Sequence, residues 1–131
     1  MTDRELLALA RDARKNAYAP YSDFGVGAAL LCKNGKVFTG ANVENHSYPA
    51  GCCAERVALY SAIAAGEREF AAIAVTGWQR DAAPRVCMPC GCCRQALCEF
   101  SGDLKLITGT DTDVRVFALE TLLPHGFGMG G

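Results

Sequence analysis

Two short cysteine segments, Cys53-Ala54-Glu55 and Pro89-Cys90-Gly91-Cys92-Cys93, constrain the fold of this chain more than any other feature of its sequence. If their thiols share one metal ion, the fold must bring both segments to a single point. Cys53 together with Cys90 and Cys93 supplies three ligands. Structural zinc sites close the tetrahedron with four protein ligands, whereas catalytic sites keep three and give the fourth position to water. Glu55, two residues from a ligand, is a carboxylate free to act on that water without binding metal.

Spacing alone leaves alternatives. Cys87-Met88-Pro89-Cys90 is a second C-x-x-C that overlaps the first. Helical geometry favours Cys90 with Cys93, because side chains three apart share a face, and Pro89 keeps the approach from Cys87 extended. A redox dithiol is the competing use of either pair, since a thiol at a helix N-terminus is also a good nucleophile. That reading leaves Cys53 and Glu55 unexplained. Neither His46 nor His125 has ligand-like spacing to the cysteines. Cys32, Cys52 and Cys98 read as small buried hydrophobes or passive thiols, and Cys92 stays open because it adjoins a ligand.

The bulk properties narrow the classes. At 131 residues, half hydrophobic and 21% charged, the sequence suits one globular domain over 1–131, with a glycine-rich tail at 126–131. A net charge of −1 and no run of Lys or Arg argue against a nucleic-acid partner. The polar start Met1-Thr2-Asp3-Arg4-Glu5 resembles neither a secretory signal nor a membrane span, so the cytoplasm is expected, with no membrane partner. In that reducing compartment the eight cysteines are better read as thiols and metal ligands than as a disulfide framework.

Periodicity predicts an α/β protein. Thr2-x-x-Glu5 is a capping box opening an amphipathic helix over 3–17, with Leu6, Ala10, Ala13 and Ala17 on one face and Pro20 beyond its end. Val26 to Cys32, Asn34-Gly35 and Lys36 to Ala41 read as a β-hairpin whose first strand is buried on both faces. A helix follows over 54–65, stopped by Gly66. Beyond it come a strand at 71–75, a helix at 93–100 and a strand at 104–108, an alternation that predicts parallel crossovers. A last strand at 114–117 and a short helix at 119–123 complete the pattern. Both cysteine segments therefore fall where a helix begins. Three thiolates outweigh the charge of Zn²⁺ and blunt its power to acidify water, so something positive must offset them. Two helix N-termini each offer roughly half a charge, and Arg56 and Arg94, directly after the motifs, are placed to hydrogen-bond the sulfurs.

Taken together, Cys53-Ala54-Glu55 and Pro89-Cys90-x-x-Cys93-Arg94-Gln95 resemble the zinc-dependent cytidine deaminases, whose signature includes a three-cysteine form. The likeness extends over Tyr18-Ala19-Pro20-Tyr21-Ser22-x-Phe24-x-Val26-Gly27-Ala28-Ala29-Leu30, Gly40-x-Asn42-Val43-Glu44-Asn45 and Leu122-Leu123-Pro124-x-x-Phe127-Gly128. Three thiols and a short chain look like the small homotetrameric branch. The resemblance implies a three-layer α/β/α fold with a mixed five-stranded sheet and one Zn²⁺ per subunit on Cys53, Cys90 and Cys93. It implies a hydroxide on that zinc attacking pyrimidine C4, with Glu55 as proton shuttle. It also implies a site for free cytidine and 2′-deoxycytidine in pyrimidine salvage. Asn42, Val43 and Glu44 match the sugar-binding stretch, Phe24 packs near the nucleoside, and the Ala54 backbone N–H meets the base carbonyl. Tyr48 and Phe127 match residues of a pocket shared between subunits. A blasticidin S-type deaminase and a non-catalytic zinc module are the alternatives; Phe24, Asn42 and Glu44 favour the ribose-bearing substrate over the former.

Overall fold

The computed structural model describes residues 1–127. The remainder of the expected glycine-rich tail, 128–131, including Gly128 of the last motif, lies outside the described residues. Helix α1, Asp3–Ala13, starts as its capping box dictates: the Glu5 N–H donates to Thr2 Oγ1 at 3.1 Å, and that hydroxyl donates to the Glu5 carboxylate at 3.2 Å. The helix is shorter than its periodicity predicts. A 3₁₀ turn, Arg14–Asn16, takes over, and Tyr18 pairs instead with Val43, its N–H donating to the Asn42 carbonyl at 2.9 Å. An extended Tyr18 competes with a continued helix, and the tertiary pairing prevails.

Strands β1, Phe24–Cys32, and β2, Val37–Ala41, form the expected hairpin, with Gly35 at φ 93° in its turn. Helix α2, Ala54–Ala64, ends before Gly66, which takes φ 97°. Strand β3, Phe70–Gln79, runs well past the expected end at 75 because it pairs along all of β1, from Cys32 opposite Phe70 to Phe24 opposite Gln79. Helix α3, Gly91–Cys98, strands β4, Lys105–Gly109, and β5, Val114–Ala118, and helix α4, Leu119–Leu122, follow. The sheet order is β2-β1-β3-β4-β5.

This topology brings the two cysteine segments together. Strands β2 and β3 each run antiparallel to β1, so they run parallel to one another, and β4 is parallel to β3. The β2–α2–β3 and β3–α3–β4 connections are thus the predicted crossovers, the first stepping over β1. Both helices start from the carboxyl ends of similarly directed strands, where α/β sheets place their ligands. They also share a face. Ala54, Ala58, Leu59 and Ala62 of α2 with Leu97 of α3 pack on Ala28, Leu30, Ile73, Val75 and Leu106, while Leu6, Leu7 and Ala10 of α1 cover Ala29, Ala74 and Ile107 opposite. The strand period of two divides the residues between these cores, giving the expected three-layer α/β/α arrangement with a mixed five-stranded sheet.

Helix α2 lies unusually close to the sheet at one point. A Cβ on Gly40 would sit 2.4 Å from the Ala54 carbonyl oxygen and 2.5 Å from the Ala58 nitrogen, both rigid backbone. Gly40→Ala must therefore lift the start of α2, at a cost of about 1–3 kcal/mol. Gly102→Ala, where an added Cβ meets nothing within 4 Å, is expected to stay within about 0.5 kcal/mol of the parent. Urea denaturation of the two variants measures the difference.

Candidate active site

The first cysteine segment is held by backbone pairing. Val43 and Cys52 exchange both N–H···O bonds at 2.9 Å, and Val43 also bridges Tyr18. Cys53 then caps α2 and Cys90 caps α3, each with extended backbone, so their side chains stand at two helix N-termini. The sulfurs of Cys53, Cys90 and Cys93 lie within 4.8 Å of one another, with Cys53–Cys90 at 3.8 Å and Cys90–Cys93 at 3.4 Å. Tetrahedral zinc with bonds of about 2.3 Å sets its sulfurs about 3.8 Å apart, so the three thiols fit zinc closely. Among the described residues, no fourth Cys, His or carboxylate joins this group. Cys92 is exposed and Cys87 half-buried; burial pushes the Cys87 thiol up to about 11, which keeps it protonated.

The charge balance is built into the same cluster. A hydrogen bond with Cys93 holds the Cys53 thiol down to about 5 against the opposing cost of burial, with Arg56 and Cys90 assisting. The same contact pushes Cys93 up. Arg56 Nη2 stands 3.6 Å from the Cys53 sulfur, and that contact raises the guanidinium above its ordinary value. Its Nε is buried with no hydrogen-bond partner among the described residues, so this arginine is turned to the sulfurs despite incomplete pairing of its own.

Arg94, expected on the sulfurs, is not there. Its Nε donates to the Pro89 carbonyl at 2.9 Å and its Nη1 to the Leu122 carbonyl at 2.7 Å. The side chain points away from the cluster because two backbone acceptors, one from the approach to Cys90 and one from α4, lie within its reach. It braces the second cysteine segment and adds no contact to the thiolates.

Glu55 sits in the first turn of α2, only 4% exposed. Burial raises its carboxyl above the usual range, its own backbone N–H opposes this, and the Cys53 charge adds to the rise. Ala54, fully buried beside it, contributes a first-turn N–H that has no intrahelical partner. A cleft of about 510 Å³ opens over this corner, its wall including Tyr21, Asn42, Glu44, Tyr48, Cys53 and Arg56. Val43, also on that wall, is exposed.

Glu44 is fixed at the cleft by the chain opposite. One carboxylate oxygen accepts the N–H groups of Tyr21 and Ser22 at 3.0 and 3.1 Å, and the other accepts the Ser22 hydroxyl. The Ser22 hydroxyl bond lowers its pKa and burial only partly offsets this, so the carboxylate stays ionised. The Asn42 amide accepts the Val26 N–H at 2.8 Å and donates to the Phe24 carbonyl at 2.9 Å, tying the cleft wall to the start of β1. One amide hydrogen remains for a ligand. Phe24 is half-buried under the Arg85 guanidinium, 5.0 Å from the ring centre, and is not part of the cleft wall. Tyr48 is 81% exposed and Phe127 74% exposed; Phe127 is also off that wall, its carbonyl accepting the Gln95 amide at 2.7 Å. Ser22 belongs to a quoted motif, but its part in holding Glu44 is visible only once the two segments meet.

A second cleft, about 570 Å³, is larger but chemically occupied. Its Arg14 stacks on Trp78 and donates to the Gly25 and Trp78 carbonyls, Arg80 pairs with Asp23, and Lys15 pairs with Asp12.

Known proteins agree with this corner of the fold. The family model for the cytidine and deoxycytidylate deaminase zinc-binding region matches residues 1–110. A cytidine deaminase of Halalkalibacterium halodurans is 44% identical over 128 residues, covering 95% of this chain and 94% of that protein. One from Mycobacterium tuberculosis is 43% identical over 120 residues, covering 92% and 85%. The crystal structure of cytidine deaminase from Burkholderia pseudomallei superposes with a TM-score of 0.89 at 50% identity, over 97% of this chain and all of that one. That of the Mycobacterium tuberculosis enzyme gives 0.82 at 36% identity, over 98% and 99%. With three thiols and a buried glutamate gathered where its two crossover helices begin, this chain belongs to the cytidine and deoxycytidylate deaminase zinc-binding family.

Proposed function

We propose that this chain, acting as one domain over its whole length, hydrolytically deaminates free cytidine and 2′-deoxycytidine to the corresponding uridines and ammonia. The observation that carries the reading is Glu55, a carboxyl buried beside a three-thiol cluster whose Cys53 lines a nucleoside-sized cleft. Cys53, Cys90 and Cys93 would hold the metal. Zinc, when bound there, supplies a Lewis acid that makes water nucleophilic near neutral pH.

The residues do the remaining work. Glu55 accepts a proton from the attacking water and gives it to the pyrimidine N3 as C4 becomes tetrahedral; it then takes the remaining proton from the new C4 hydroxyl and passes it to the amine, which leaves as ammonia while the C4 carbonyl forms. Its raised pKa suits a group that must both take and return a proton. The Ala54 N–H, at the positive end of α2, receives the base carbonyl. Arg56 offsets the thiolates, so that negative charge on the sulfurs does not oppose the formation of a nucleophile. Asn42 and Glu44 read the sugar hydroxyls, with Val43 between them on the cleft wall.

Glu44 also argues for a nucleoside over a nucleotide or a strand. Its carboxylate faces the cleft ionised, where it would repel phosphate, and the cleft's arginine is already committed to the sulfurs. Tyr48 and Phe127, both large and highly exposed, support a homotetramer in which a neighbour's aromatic side chains close each pocket. No helix among the described residues is long and apolar enough to cross a membrane.

Four outcomes test this reading. Ultraviolet assay of cytidine beside metal analysis should find one zinc per chain and ammonia release in the parent; Cys53→Ala, Cys90→Ala and Cys93→Ala lose both, and Cys92→Ala keeps both. In the same panel Glu55→Gln keeps its zinc but loses at least about 10²–10⁴-fold in rate; a zinc-replete parent without activity would sink the proposal. Glu44→Ala should lower kcat/KM for cytidine roughly 10–100-fold through lost charged hydrogen bonds, chiefly through KM, and steady-state kinetics decides it. Light scattering should find a tetramer; a fully active monomer would refute the shared pocket.

A further inference from the structure

The approach to Cys90 carries a device that the cysteine motif itself does not contain. Thr108 lies near the carboxyl end of β4 with no exposed surface. Its hydroxyl accepts the Cys87 N–H at 3.1 Å and donates to the Cys87 carbonyl at 2.8 Å. One side chain thus satisfies both backbone groups of a single residue on a segment that lacks regular secondary structure. A valine would fill the same volume at this strand position, and a buried hydroxyl needs partners to be tolerated. Cys87 supplies both.

The anchor is close enough to the thiols to set their position. Only Met88 and Pro89 separate Cys87 from Cys90. Proline fixes its own φ and restricts the residue before it to extended conformations, so few soft torsions intervene. Arg94 holds the Pro89 carbonyl from the other side at 2.9 Å. Clamped at Cys87 and Pro89, the segment delivers Cys90 to the start of α3, 3.8 Å from the Cys53 sulfur.

We propose that Thr108 is a positioning residue for the metal centre: its hydroxyl, by holding both backbone groups of Cys87 against β4, fixes where Cys90 and Cys93 meet Cys53. The inference rests on the zinc reading of those three thiols. It assigns Thr108 no contact with metal or substrate. Partners that orient ligands in this indirect way change metal affinity by about 10–100-fold when removed.

The test measures zinc retention in the purified holoenzyme, challenged with a chromophoric chelator whose colour reports release. Thr108→Val removes the hydroxyl and keeps the shape, whereas Thr108→Ser keeps the hydroxyl and removes a methyl group. Zinc release about 10–100-fold faster in Thr108→Val, with Thr108→Ser within a few-fold of the parent, supports the proposal. Equal retention in parent and Thr108→Val overturns it, as does Thr108→Ser releasing zinc as fast as Thr108→Val, because then packing alone is at issue. Amide hydrogen exchange on the parent holoenzyme decides the matter should Thr108→Val not fold: the Cys87 amide should be much better protected than that of Met88, and equal exchange overturns the anchor. A parent that holds no zinc at all overturns the underlying metal reading and this inference with it, whereas a zinc-replete parent matched by Thr108→Val overturns this inference alone.

Discussion

Three sulfurs crowded within a few ångströms are the constraint on which the rest of the structure depends. Bringing negative charge together inside a protein is costly unless positive charge is already in place. The fold supplies that charge before any ligand arrives, through the starts of α2 and α3 and through Arg56 at the Cys53 sulfur. The two crossovers aim both helix N-termini at one corner because β2 and β3 share a direction. A change of strand direction would separate the thiols even with every cysteine retained.

The close contact at Gly40 and the anchor at Thr108 do the same kind of work on the two halves of the centre. Gly40 lets α2 settle onto β2, which fixes Cys53 through the helix it caps. Thr108 and Arg94 hold the less regular approach to α3 by its backbone. The first half is set by packing and the second by hydrogen bonds. The difference follows from local structure: α2 is entered from paired backbone at Cys52, whereas the segment before α3 has no neighbouring strand partner from Val86 to Cys90.

The cleft adds selectivity to this reactive corner by fixing its polar groups in advance. Asn42 is held by β1, and Glu44 is held by the backbone of Tyr21 and Ser22, so neither must be ordered when a ligand binds. The anchorage of Glu44 comes from the stretch between the first helix and β1, and that of Asn42 from the first residues of β1, both far from the cysteines in sequence. That stretch leaves the helical path at Ala17 and runs alongside Val43. The shortened α1 and the ordered Glu44 are thus two consequences of one tertiary pairing.

The sequence by itself determined whatever depends on neighbours along the chain. Thr2 and Glu5 specify the start of α1, Asn34-Gly35 the hairpin turn, Gly66 the end of α2, and C-x-x-C at a helix start the pairing of Cys90 with Cys93. The motif also put Glu55 beside a thiol. Only tertiary structure decided the partners of long polar side chains, because a guanidinium or hydroxyl takes the best acceptor within reach, and that acceptor comes from elsewhere in the chain. Arg56 found a sulfur, while Arg94, in the equivalent place by sequence, found the Pro89 and Leu122 carbonyls. Thr108 read only as the end of a strand until folding set it against Cys87. The three-thiol centre was legible in its residues, but the means of holding it in place depended on contacts that no local pattern encodes.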